Sequence, residues 1–198
     1  MVAYVFDRIL SQGVRGGQLP GRTQAARDWF RDTAKTTRAT PEQIMRGDTT
    51  RFTNRTMLGR MYMFYYDPKH KKTLKTYDRF PLIFPIKKES DGFIGMNFHY
   101  LGYQQRALLM DNLYSLTNND RYDDKTKLAA TYDMLNKSAK YKYFKPTVHR
   151  YLTGHVRSRF LEISAAEWDI ALFLPVERFE KMQKRSVWAE SNRTVRGQ

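Results

Sequence analysis

Apolar and polar positions form their most regular pattern between Gly59 and Leu101, GRMYMFYYDPKHKKTLKTYDRFPLIFPIKKESDGFIGMNFHYL. Three aromatic-rich runs, Met61 to Tyr66, Phe80 to Ile86 and Phe93 to Leu101, are separated by polar loops at 67–77 and 87–92. Tyr, Phe and Ile suit a pleated, half-buried surface, whereas Asp-Pro and Asp-Gly turn the chain. The pattern predicts a β-meander.

Upstream, Tyr4, Val5, Ile9 and Leu10 have the spacing of a short amphipathic helix, and Gly13, Gly16, Gly17, Pro20 and Gly21 impose a loop after it. A second helix is expected from Thr23 to about Thr36, capped by Thr23 and anchored by Trp29 and Phe30. Arg27, Arg31 and Lys35 recur every four residues along it as a basic stripe. In TPEQIMRGD, Thr40 is a cap, Pro41 the first helical residue and Gly47 the stop. The polar run 48–58 then reads as an extended arm.

Downstream, GYQQRALLMDNLYSLTN reads as a helix with Ala107, Leu108, Leu109, Leu113 and Leu116 on one face, ended by Asn118 and Asn119. A second helix carries Leu128, Tyr132 and Leu135, with Asp123 and Asp124 at its start. Between Tyr141 and Lys145 rings alternate with lysines. That pattern is either a single-strand-binding surface or an amphipathic strand or short helix with its rings in the core. Val156 to Ile163 reads as a strand, Ser164 and Glu167 as a reciprocal capping pair, and 169–174 as either a continued helix or a short buried strand, with the Leu-Pro stop and the Ile, Phe and Leu content favouring strand. A helix-like run and polar tail carrying Trp188 finish the chain.

These elements predict an α+β fold: a small SH3-like β-barrel or meander core of five strands, with inserted helices and an extended basic N-terminal arm. The expected division is an arm over 1–58, a core over 59–175 with its helical insertion at 103–137, and a C-terminal helix and tail over 176–198. The arm has little to bury and is expected to lie on neighbours in an assembly, leaving a folded core when deleted.

Composition adds a polyanion partner. The net charge of +15 is uneven: +6 over 1–60, +3 over 61–137, +6 over 138–160 and 0 beyond. Basic zones flank the meander, and such zones attract nucleic acid, acidic membrane surfaces or acidic proteins. The candidate contacts are Arg27, Arg31 and Lys35, then Lys69, Lys71, Lys72 and Lys75 of the 67–77 loop, then Lys140, Lys142, Lys145, Arg150, Arg157 and Arg159.

Catalytic signals are absent. With no cysteine there is no disulfide or thiolate site, and His70, His99, His149 and His155 are scattered without metal-ligand spacing. No phosphate loop, nucleophile elbow or zinc-protease motif occurs. A metal-dependent nuclease would have to use Asp67-Pro68-Lys69 or Asp123-Asp124-Lys125, one in a turn and the other at a helix start, rather than carboxylates on paired strands. The expectation is a non-enzyme without cofactor or metal. No window approaches the roughly 18 apolar residues of a membrane span, nor does the N-terminus read as a signal peptide.

The run MYMFYYDPKHKKTLKTYDRFPLIFPI, followed by DGFIGMNFHYL and later EWDIALFLPVERF, resembles a small virion protein of T-even-type tailed bacteriophages over roughly residues 20 to 190. The resemblance implies a non-enzymatic part of tail, baseplate or neck that docks onto other virion proteins in a symmetric assembly, or alternatively a DNA-binding protein at the end of the packaged genome. It implies synthesis in the host cytoplasm, residence in the virion, and neither a membrane nor a small-molecule partner. No functional residues transfer with it.

Overall fold

A computed structural model describes residues 4–47, 49–117 and 121–197. Its main sheet is built around β2 (Met61–Met63), which pairs with β4 (Leu82–Glu89) on one side and β7 (Phe160–Ile163) on the other. With β1 (Phe52–Thr53), β5 (Gly92–Asn97) and β6 (Val148–Leu152) the strand order is β1-β7-β2-β4-β5-β6, and every pairing is antiparallel. A second, two-stranded sheet joins β3 (Tyr77–Asp78) to β8 (Phe179–Glu180). The α+β class is as expected.

Strand alternation sorts the apolar residues onto two faces. Met61, Met63, Leu82, Phe84, Met96 and Leu161 face the helices, and Tyr62, Phe64, Ile83, Phe93, Tyr151 and Phe160 form a separate aromatic cluster. Phe93 of β5 and Phe160 of β7 have ring centroids 5.9 Å apart although two strands lie between them. Three steps across a flat sheet span about 14 Å. The sheet therefore curls about Phe64, whose ring meets those of Tyr66, Phe93, Tyr151 and Phe160 edge-on. It does not close: β1 and β6 are its edges, and the segment after β6 is tied to the end of β2 by a Tyr66–Val156 bridge flanked by the Asp67 N–H to His155 carbonyl and Arg157 N–H to Tyr65 carbonyl bonds. The SH3-like barrel is thus replaced by an open, curled sheet. Pro85 is accommodated at a register shift, where its carbonyl accepts the Gly59 N–H at 3.3 Å.

The helical face is covered by α1 (Val5–Arg15), α2 (Gln24–Thr36), α3 (Pro41–Met45), α4 (Tyr103–Thr117), α5 (Asp124–Ser138) and α6 (Trp168–Ala171). Thr23 and Thr40 cap their helices as the sequence predicts, and Asp123, expected at the start of α5 for its charge, also caps it. Three expectations fail. The N-terminal segment does not reach out to neighbours, because Phe6, Ile9, Phe30, Ala34 and Ile44 sit in the same cluster as Phe84. Residues 168–174 are helix and turn rather than strand, a choice that periodicity cannot make for so short an apolar run. Leu108 is 60% exposed; the buried face of α4 keeps Leu109 and Leu113 but takes Arg106, Met110 and Tyr114 in its place. Leu116, Asn118 and Asn119 lie outside the described residues or side chains.

Arg106 is fully buried. Its guanidinium donates to the carbonyls of Leu101 (2.8 Å), Leu172 (2.6 Å) and His99 (3.3 Å) and to the Glu177 carboxylate (2.6 Å), joining α4 to the C-terminal segment. Burial alone would raise the Glu177 pKa, but Arg106, with His99 and Lys184, brings it down to about 2. The last helix, α7 (Lys184–Arg196), packs on the 3-10 turn Lys142–Thr147, and Trp188 donates to the His99 carbonyl at 2.8 Å.

Candidate nucleic-acid interface

The 67–77 loop and the 142–152 segment, distant in the chain, face each other across one groove. The loop is clamped at its base. β3 pairs with β8, Thr76 donates to the Glu180 carbonyl at 2.9 Å, and the Lys181 ammonium donates to the carbonyls of Lys72 (2.9 Å) and Leu74 (2.7 Å). Between the walls lie two hollows of about 300 and 460 Å3 that share Leu74, Thr76, Tyr100 and His149. Lys69, His70 and Arg150 line the first, Lys75 and Lys145 the second.

The groove's floor is aromatic and stiff. Tyr100 and His149 pack with centroids 4.1 Å apart and planes tilted by 31°, and Tyr151 stacks on Phe93 at 5.5 Å. The Tyr66 hydroxyl accepts the Leu152 N–H at 3.1 Å, locking β6 to the end of β2. His149 Nε2 lies 2.9 Å from the Pro146 carbonyl, which can only accept, so this nitrogen carries the proton. Burial pushes the His149 pKa down and keeps the ring neutral. Beneath, Asp78 accepts from the Phe80 N–H, the Asn97 amide and His99 Nδ1, at 3.1, 3.1 and 2.7 Å.

The candidate cations divide by what already holds them. Arg31 is buried, bound to Asp169 at 2.6 Å and Asp111 at 2.7 Å. Arg27 lies over the Tyr114 ring near Asp111, and exposed Lys35 pairs with Asp32 at 2.9 Å. The basic stripe on α2 is therefore largely satisfied inside the protein and lines neither hollow; for Arg31 the expectation of a surface contact is corrected. Lys71 pairs with Asp67 (2.8 Å), Lys75 with Glu190 (2.6 Å) and Arg150 with Asp91 (2.6 Å). The Lys71 hydrogen bond holds the Asp67 pKa below the ordinary carboxylate range, and Asp67 in turn raises that of Lys71. Arg157 lies 3.9 Å from Asp67, and Arg159 donates to the Phe52 carbonyl. Lys69, Lys72, Lys140, Lys142 and Lys145 are exposed and make no ion pair among the described residues.

Tyr141 and Tyr143 are each 64% exposed, so these two rings are not in the core; Phe144 alone of the three packs inward. Rings and free lysines share this surface. Asp123 caps α5 by accepting the Thr126 N–H at 2.7 Å, and no group of three or more potential metal ligands occurs among the described residues. Sequence reasoning found both lysine walls but missed the floor. Tyr100, in the turn after β5, meets His149 and Tyr151 of β6 only through β5–β6 pairing, a signal that no local pattern carries.

The fold and groove define an α+β protein with an aromatic-floored, lysine-rimmed cleft, and among the described residues no helix is long and apolar enough to cross a membrane. The family model described as phage T4 terminal DNA protecting protein matches residues 6–193, and the chain belongs to that family. No curated protein and no solved structure matches it.

Proposed function

We propose that this protein binds the ends of the linear phage genome and shields them, residing in the particle at the packaged DNA terminus. The family match over residues 6–193 carries this reading. It favours the genome-end alternative over docking in tail, baseplate or neck. The groove supports it chemically: free ammonium groups neutralise phosphates, exposed tyrosine rings stack bases, and neither needs a cofactor. On this reading the protein acts by occupying the end and excluding a nuclease, with no chemistry of its own.

The test is protection of linear duplex DNA from an exonuclease that starts at ends, at near-physiological salt. Added protein should slow degradation in proportion to end occupancy and leave an endonuclease unaffected. Equal degradation with and without saturating protein would refute the reading.

A further inference from the structure

A protein that prefers ends must engage something that internal duplex lacks. Two features qualify: the face or edge of an unstacked last base, and the terminal nucleotide's phosphate freed from the regular backbone path. Lysines on an open surface distinguish neither, because they meet the same phosphates everywhere along a duplex.

The smaller hollow differs from such a surface. At about 300 Å3 it sits at the lower end of the range for pockets that bury a small organic molecule, and is far too narrow for a duplex. Tyr77 lines it from β3, is only half-buried, and has no ring partner among the described residues. The Tyr100 ring is already covered by His149, so Tyr77 offers the free aromatic surface. Lys69 and His70 on the loop and Arg150 on β6 line the same hollow. Asp78 lines it too, buried and hydrogen-bonded through both carboxylate oxygens. A phosphate beside that carboxylate would be repelled, so the polarity of the pocket sets one orientation: phosphate toward Lys69, His70 and Arg150, base toward Tyr77 and the floor. The second hollow continues from the shared Leu74, Thr76, Tyr100 and His149 to Lys145, giving the following nucleotide a path out.

We infer that this pocket takes one unpaired terminal nucleotide of a DNA strand, its base stacked on Tyr77 and its phosphate held at the Lys69 side. The inference rests on the end-binding reading and adds to it the group that is recognised.

The experiment compares three probes on the full-length protein: duplex DNA with a 5′-phosphorylated single-nucleotide overhang at each end, the same duplex closed by hairpin caps, and dAMP alone. Wild type should bind the open duplex about tenfold or more tighter than the capped one, in line with the worth of one base–aromatic stack. Tyr77→Ala should bring the ratio of open to capped affinity close to one while leaving capped-duplex binding unchanged. Lys69→Ala, at an exposed residue without an ion pair among the described ones, reads the phosphate side and should lower the same ratio even if Tyr77→Ala proves poorly folded. Equal binding of open and capped duplex by wild type would overturn the pocket assignment while leaving phosphate-driven DNA binding in place. Binding of dAMP as tight as that of the open end would overturn it in favour of a free-nucleotide site. Absence of binding to either duplex would overturn this inference and the end-binding reading together.

Discussion

Arg106 has no water around its guanidinium, so every donor it carries must be answered by protein. Replacing it with alanine would leave the Glu177 carboxylate, whose side chain is fully buried, facing only Lys184 at 3.2 Å. Removing one partner of such a pair typically costs about 3–5 kcal/mol, and Arg106→Ala is expected to lose stability on that scale in urea denaturation. Arg106→Met combined with Glu177→Leu should recover much of it, because the uncompensated charge is gone. Acid exposes the same pair. The folded-state pKa of Glu177, about 2, lies below its ordinary 4.5, so the unfolded chain takes up the proton first as pH falls. Its contribution, about 3 kcal/mol, is complete above roughly pH 4.5 and is lost toward pH 2. The depressed His149 acts in the same direction but earlier, its share fading as pH drops below the ordinary histidine value of 6.5. Thermal melts from pH 8 to pH 3 should therefore fall in two stages, and His149→Gln should remove the first.

Elements bear most of the long-range order. Phe64 is the post that the sheet curls around, and Phe64→Ala should cost about 3–5 kcal/mol through the cavity it opens between β5 and β7. Gly92→Ala should be severe for its size, since a Cβ there would come within 1.9 Å of the Tyr151 carbonyl oxygen and push β6 away from β5. Deleting residues 1–47 strips Phe6, Phe30 and Ile44 from the main core, and the remainder should lose its cooperative melt in circular dichroism. That outcome is the opposite of what an extended arm predicts. The difference shows what a sequence discloses. Helix ends at Thr23, Thr40 and Asp123 were legible because a cap and its first turn are neighbours in the chain. The meander was legible for the same reason. The insertion of β7 between β1 and β2 was not, because it pairs Phe52 with Leu161, and nothing near either residue announces the other. Arg106 was illegible in a different way: a lone arginine on a helix ordinarily faces water, and only when the Leu172 carbonyl and Glu177 carboxylate, from the far end of the chain, join the nearby His99 and Leu101 carbonyls is its burial tolerable.

At the scale of the whole molecule, the groove gathers cations that no acid occupies. Acidic partners hold Arg31 and Lys35 of α2, whereas Lys69, Lys72, Lys140, Lys142 and Lys145, five of the lysines without ion pairs among the described residues, lie on or beside the two segments that wall the groove. DNA binding should therefore weaken steeply with salt, and the combined Lys69→Ala, Lys72→Ala and Lys145→Ala variant should flatten the log–log slope by about 0.9 for each phosphate that no longer has a cation beside it. Lys35→Ala should leave the slope unchanged. Filter binding or fluorescence anisotropy across a salt series separates the two.

The clamp on the 67–77 loop also dictates when the groove can exist. Lys181, which holds that loop by the Lys72 carbonyl, is translated 109 residues after it, and β8 follows β3 by about as much. A fold dominated by such distant pairings closes slowly and late. A nascent chain from which β8 and Lys181 have not yet emerged presents lysines but no clamped cleft, so the groove assembles only after they do. A product terminated before β8 would stay basic yet lack the clamped groove.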